Sequence, residues 1–117
     1  MAELFAYKIL TREQWDTLRA DGVFEGAPVD LADGYIHLST QAQTAETVTK
    51  HFAGQDDLIL AMVDLAAVGD KVKWEVSRGG QLFPHLYGPL PLSAVVTKAV
   101  LRLGTDGKHS FPAGFLH

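Results

Sequence analysis

Three places in this 117-residue sequence hold residue types that could do chemistry: a polar strand face, a lone glutamate and an aromatic, proline-rich stretch. In "DGYIHLST" the alternation of a strand puts Tyr35, His37 and Ser39 on one side and Ile36 and Leu38 on the other. Ser39 or Thr40 can then cap a following helix, whose first amides attract an anion, while the imidazole hydrogen-bonds a ligand hydroxyl. The ordinary alternative for His37 is a histidine satisfied by a backbone carbonyl. In "KVKWEVS" the same alternation turns Glu75 away from Val72, Trp74 and Val76. That makes Glu75 the best single carboxylate for ligand contact or general acid/base work; the alternative is an exposed glutamate paired with Lys73 or Arg78. A second catalytic carboxylate would have to be Asp33, Asp57 or Asp64.

The stretch "SRGGQLFPHLYGPLP", residues 77–91, reads as a loop that Gly79 and Gly80 turn and Pro84, Pro89 and Pro91 stiffen. Such a loop would display Phe83, His85 and Tyr87 to stack a planar ring and offer hydrogen bonds; otherwise its aromatics simply cover one end of the core. The five histidines include no i, i+4 pair on a helix and no HExxH, so no metal is expected. Neither a Rossmann nor a P-loop phosphate fingerprint occurs, and there is no GxSxG elbow.

The elements that must position these residues follow from periodicity and caps. "LFAYKIL" predicts a strand, and Thr11 with Gln14 at capping-box spacing starts a helix that buries Trp15 and Leu18 and stops at Asp21-Gly22. Residues 23–34 read as a loop. "QAQTAETVTKHFAG" predicts a second helix with an Ala45, Val48, Phe52 stripe, ended by Gly54. "DLILAMVDL" is the most apolar run and the expected sheet centre. "KVKWEVS" and "AVVTKAVLRLG" supply the later strands, and the tail "TDGKHSFPAGFLH" is expected over the surface. Both main helices fall in the N-terminal half and the strands concentrate in the second, which predicts a single α+β domain over residues 1–117.

Composition bounds the function. Apolar residues make up 47% and charged residues 21%, and the net charge is −4 with ten scattered Lys and Arg. A nucleic acid polymer needs a concentrated basic surface, which these residues do not form, so a small molecule is the expected partner. No cysteine is present, so disulfides and thiolate chemistry are excluded. No run is long and apolar enough for a membrane span, and no secretory signal opens the chain, so a cytoplasmic protein is expected. A homo-oligomer stays open.

The segments "AYKILTREQW", "DGYIHLSTQAQ", "DLILAMVDL" and "KWEVSRGGQLFPHLYGPLPLSAV", in this order over residues 5 to 96, resemble the small bacterial proteins grouped as domain of unknown function family 952. The resemblance implies a distant kinship to the ADP-ribosyltransferase-like fold: two small, mostly antiparallel sheets split around a cleft for NAD or a related nucleotide. In that superfamily a His or Arg stands on the first strand, a Tyr or Ser on the second and often a Glu late in the chain. The first place falls on Lys8 here, the second near His37 or Ser39, and the late glutamate on Glu75. By that analogy Glu75 would stabilise a ribosyl cation, His37 and Ser39 would hold ribose hydroxyls, Tyr87 or Phe83 would stack the base, and Lys8 or Arg78 would face phosphates. Three readings result: a binding module for a nucleotide-like molecule, an NAD-dependent transferase, and an interaction module built on the aromatic loop 79–91.

Overall fold

The computed structural model describes residues 3–111, and Arg78 by its backbone alone; the end of the tail, residues 112–117, lies outside the described residues. The chain begins as read. β1 (Phe5–Leu10) leads into α1 (Arg12–Asp21), where the Thr11 hydroxyl accepts from the Gln14 amide at 3.1 Å and the Gln14 side chain accepts from the Thr11 amide at 3.0 Å. This reciprocal pair satisfies two amides that a helix start otherwise leaves unbonded. Gly22, at φ 76°, closes the helix.

β1, β4 (Leu58–Asp64), β8 (Val95–Leu103) and β9 (His109–Ser110) form one antiparallel sheet in the order β1-β4-β8-β9. β4 is thus interior, as its unbroken apolar run requires, and Leu58 to Ala61 are all buried. One face, with Ala6, Leu10, Ile59, Ala61 and Val63, packs with Trp15 and Leu18 of α1. The other face, with Tyr7, Ile9, Leu58, Leu60 and Leu101, packs with Val48 of α3 (Gln41–His51).

The second half departs from the expected loop. Residues 82–86 are a strand, β6 (Leu82–Leu86), and it is the middle strand of a second antiparallel sheet between β3 (Ile36–His37) and β5 (Val72–Val76). A proline in a central strand is unusual because it cannot donate to the ladder. Here that deficit has a consequence. Leu38 donates its amide to the Pro84 carbonyl at 3.1 Å, but Pro84 has no N–H to return, and the pairing of β3 with β6 stops there. The next residue, Ser39, turns to the first sheet instead and exchanges two backbone bonds with Tyr7, at 2.8 and 2.9 Å. The two sheets therefore diverge from a short stretch of chain between His37 and Ser39.

Further corrections concern residues 23–34 and the helix faces. The expected loop holds β2 (Val23–Phe24), which pairs with β7 (Leu90–Pro91), and α2 (Pro28–Asp33). The antiparallel strands thus form a four-stranded, a three-stranded and a two-stranded group instead of two sheets. Between β4 and β5, Ala66 to Asp70 carry most of α4 (Leu65–Val68) and the start of a 3-10 turn. On α3 the buried row is Gln43, Thr44 and Val48, with Ala45 exposed, because Gln43 bonds the Leu82 carbonyl at 2.8 Å and Thr44 the Thr40 carbonyl at 2.8 Å. The helix ends at His51 with Phe52 as its cap, short of Gly54. β5 alternates as expected, yet its apolar face is covered only at Val72: Trp74 is 40% and Val76 68% exposed. Among the described residues no helix is long and apolar enough to cross a membrane.

Candidate functional site

The site grows from one carboxylate. Ala27 stands at the N-cap of α2 and has no side chain to cap with, while Pro28 fixes the first helical φ. Asp30, three residues on, accepts from the Ala27 amide at 2.8 Å. The same carboxylate accepts from the His37 amide at 3.1 Å, meets His37 Nδ1 at 2.6 Å and accepts from Lys8 Nζ at 3.0 and 3.3 Å. Asp30 is 2% and Lys8 6% exposed. Burial alone would raise the Asp30 pKa, but the His37 ring, the Lys8 charge and the two amides together hold it down to about 2. Burial lowers the pKa of Lys8, against the pull of Asp30. Lys8 also donates to the His37 carbonyl at 3.1 Å, so its ammonium is committed inside the fold.

His37 is bracketed. Its Nε2 lies 3.0 Å from Asp33 Oδ2, at the last residue of α2, while Nδ1 faces Asp30. An ionised carboxylate only accepts, so whichever ring nitrogen carries a hydrogen donates it to the carboxylate it faces. Gly34, at φ 88°, ends α2 in a left-handed turn that returns the chain into β3 within four residues of Asp33.

The register of β5, β6 and β3 brings the other candidates to the same face: Lys73 and His37 both pair with His85, and Glu75 pairs with Phe83. Glu75 Oε1 accepts from the Tyr87 hydroxyl at 2.7 Å and from His85 Nδ1 at 2.8 Å, which leaves Nε2 as the remaining nitrogen of that imidazole. Those two bonds lower the Glu75 pKa, and the bond to Glu75 pushes the Tyr87 phenol up to about 12. Tyr35 ties the halves together. Its ring stacks on His85 at 4.1 Å between centroids and packs against His37 at 4.6 Å and Tyr87 at 5.2 Å. Burial raises its phenol pKa, with help from Asp33 and Glu75.

Beside this cluster, where the two sheets diverge, lies a cleft of about 510 Å³ closed by α2 and α3. Of the residues singled out from sequence, Lys8, Asp33, His37, Ser39, Phe83 and His85 line it. Tyr35, Glu75 and Tyr87 stand behind His37 and His85 and set their positions. Thr40 caps α3: its hydroxyl accepts from the Gln43 amide at 3.2 Å and its amide donates to the Gln43 side chain at 3.0 Å. The anion expected at that helix start is thus replaced by the chain's own side chains. Lys8, expected to face phosphates, faces Asp30. Ser39 bonds Thr47 at 2.9 Å. The side chain of Arg78 is outside the described residues. Phe83 and His85 are buried in a sheet interior and do not project from a loop.

Asp30 and Thr47, which the sequence does not single out, and Phe52, which it places only in a helix stripe, also line the cleft. Asp30 did leave a signal, since proline followed two residues later by an acid is a helix-start pattern. Among the described residues no group of three or more His, Cys, Asp or Glu has the arrangement to hold a metal ion.

The family model described as "Protein of unknown function (DUF952)" matches residues 9–98. The crystal structure of protein CC0527 from Caulobacter crescentus is similar to this chain at 51% sequence identity with a TM-score of 0.86, covering 91% of this chain and 93% of that one. The solution NMR structure of the same protein, at 51% identity and 90% coverage of both chains, gives a TM-score of 0.80. None of the curated proteins matches this chain.

Proposed function

The chain belongs to the DUF952 family, a family with no assigned activity, and from that premise we propose that its cleft binds a small nucleotide-like molecule, NAD or an ADP-ribose derivative, in the cytoplasm. The observation that carries the reading is the convergence of His37, His85 and Tyr35 with three carboxylates beside one cleft. A volume of about 510 Å³ suits a molecule of nucleoside to dinucleotide-half size, and apolar walls with a few fixed polar groups are what such sites use. Carboxylates and imidazoles are the groups that hold ribose hydroxyls. The divergence of the sheets at Pro84 and Ser39 supports an ADP-ribosyltransferase-like split-sheet architecture.

A second reading, an active transferase on NAD, draws on one feature. Glu75 is ionised and held by Tyr87 and His85, the state a carboxylate needs to stabilise a ribosyl cation as nicotinamide leaves. Calorimetry with NAD and with ADP-ribose, and measurement of free nicotinamide, separate the two. Saturable binding that weakens roughly tenfold or more in His85→Ala is expected. Binding that survives in Glu75→Gln, without nicotinamide release by either protein, selects the binding module; release that Glu75→Gln abolishes selects the enzyme. A folded wild type that binds neither ligand overturns both.

A further inference from the structure

Building on that reading of the cleft, we propose that it recognises the nucleoside part of its ligand and leaves phosphate groups outside. The charges lining the cleft carry the argument. Lys8 is its one described lysine or arginine, and the Lys8 ammonium is taken by both oxygens of Asp30 and by the His37 carbonyl. Asp33 adds a second carboxylate, with its side chain 45% exposed. Each lining histidine is already engaged: His37 with Asp30 and Asp33, His85 with Glu75, and His51 with an interaction of its own. With His37 carrying both ring protons, Lys8, Asp30, His37 and Asp33 together are neutral; with one proton, a negative charge is left over. Neither state leaves these four residues with a positive charge for a phosphate, whose desolvation they then do not compensate.

Three helix-start amides, the kind of group that otherwise holds a phosphate, are bonded within the chain. At the start of α3 the Thr40 and Gln43 amides are bonded by each other's side chains. At the start of α2 the Asp30 carboxylate sits on the Ala27 amide, placing a negative charge where an anion would bind. What the cleft does offer matches a nucleoside. Ile9, Val29, Phe52 and Phe83 present apolar surface to a planar base, and Asp33 and Ser77 present oxygens to sugar hydroxyls. A cationic base gains further from the carboxylates. In a dinucleotide, one nucleoside enters and the pyrophosphate stays in solvent.

Calorimetry on the intact chain with two matched pairs, adenosine and its 5′-monophosphate and nicotinamide riboside and its 5′-monophosphate, tests this at low and high salt. In whichever pair binds, the nucleoside is expected to be roughly three- to tenfold tighter at low salt, with the gap closing as salt screens the repulsion. Asp33→Asn, at a half-exposed position, is expected to close the gap at low salt as well. A monophosphate that binds more tightly than its nucleoside overturns the inference while leaving nucleotide binding intact, and loss of that advantage in Arg78→Ala would identify the cation responsible. Absence of binding by all four and by NAD overturns the inference together with the reading beneath it.

Discussion

Asp30 joins three elements through one carboxylate: the start of α2 through Ala27, β1 through Lys8 and β3 through His37. Asp30→Asn leaves the Lys8 charge buried without its partner, and urea unfolding should show a loss of about 3–5 kcal/mol. Lys8→Met with Asp30→Leu removes both charges and should recover much of that loss. Because the folded-state pKa of Asp30 is lowered to about 2 from an ordinary 3.8, its contribution is present above about pH 4 and drains away as pH falls toward 2. Tyr87 has the opposite sign: its phenol, raised to about 12, keeps its proton through the range where a free tyrosine loses it. Ultraviolet titration of the wild type minus Tyr87→Phe should yield a phenol ionising near pH 12, and ionisation near pH 10 would show the Glu75 bond to be absent. His37 and Glu75 were legible in the sequence because strand alternation alone sets their faces, whereas His85 stood out only as part of an expected loop that is a strand. Asp30 was not legible, since its role depends on Lys8 and His37, which are distant in sequence and close only once the sheets form.

Among the elements, α2 and β6 decide the site, and both fall where the sequence predicts loops. The reason is shared: glycine and proline recur through residues 22–34 and 79–91, and local chemistry there signals turns without showing what lies between them. β6 becomes a strand because β3 and β5 flank it, a non-local pairing that outweighs Pro84. α1 and α3 were legible, α1 from the capping-box spacing of Thr11 and Gln14 and α3 from a cap at Ser39 or Thr40, and both helices start with a Thr-x-x-Gln capping box. The two glycines around α2 separate strain from contact. Gly34→Ala meets no neighbour within 4 Å, so its cost should be that of the positive φ alone, about 1 kcal/mol. Gly26 has φ +133°, and a Cβ there would lie 3.0 Å from Asp30 Cβ. Gly26→Ala should therefore cost more in a denaturant series and also weaken ligand binding, because it moves the carboxylate that holds His37.

For the whole molecule, stability and function rest on different sheets. The β1-β4-β8-β9 sheet, buried on both sides by α1 and α3, holds the core, and Leu60→Ala should lose about 2–5 kcal/mol while leaving the cleft residues in place. The β3-β6-β5 sheet carries the candidate site on one face and leaves Trp74, Val76 and Leu82 exposed on the other. Hydropathy made the first sheet plain: an apolar run like Leu58 to Val63 has one natural place. How the second sheet splits from it was not legible, because the split depends on a missing N–H at Pro84 and a partner change at Ser39. Backbone amide NMR during titration with NAD tests the central claim, that the ligand lies where the sheets diverge. Shifts should concentrate at Lys8, His37 to Ser39, Ser77, Phe83 and His85, with Trp74, Val76 and Leu82 least affected. Shifts confined to the Trp74, Val76 and Leu82 face, or none at all, would contradict it.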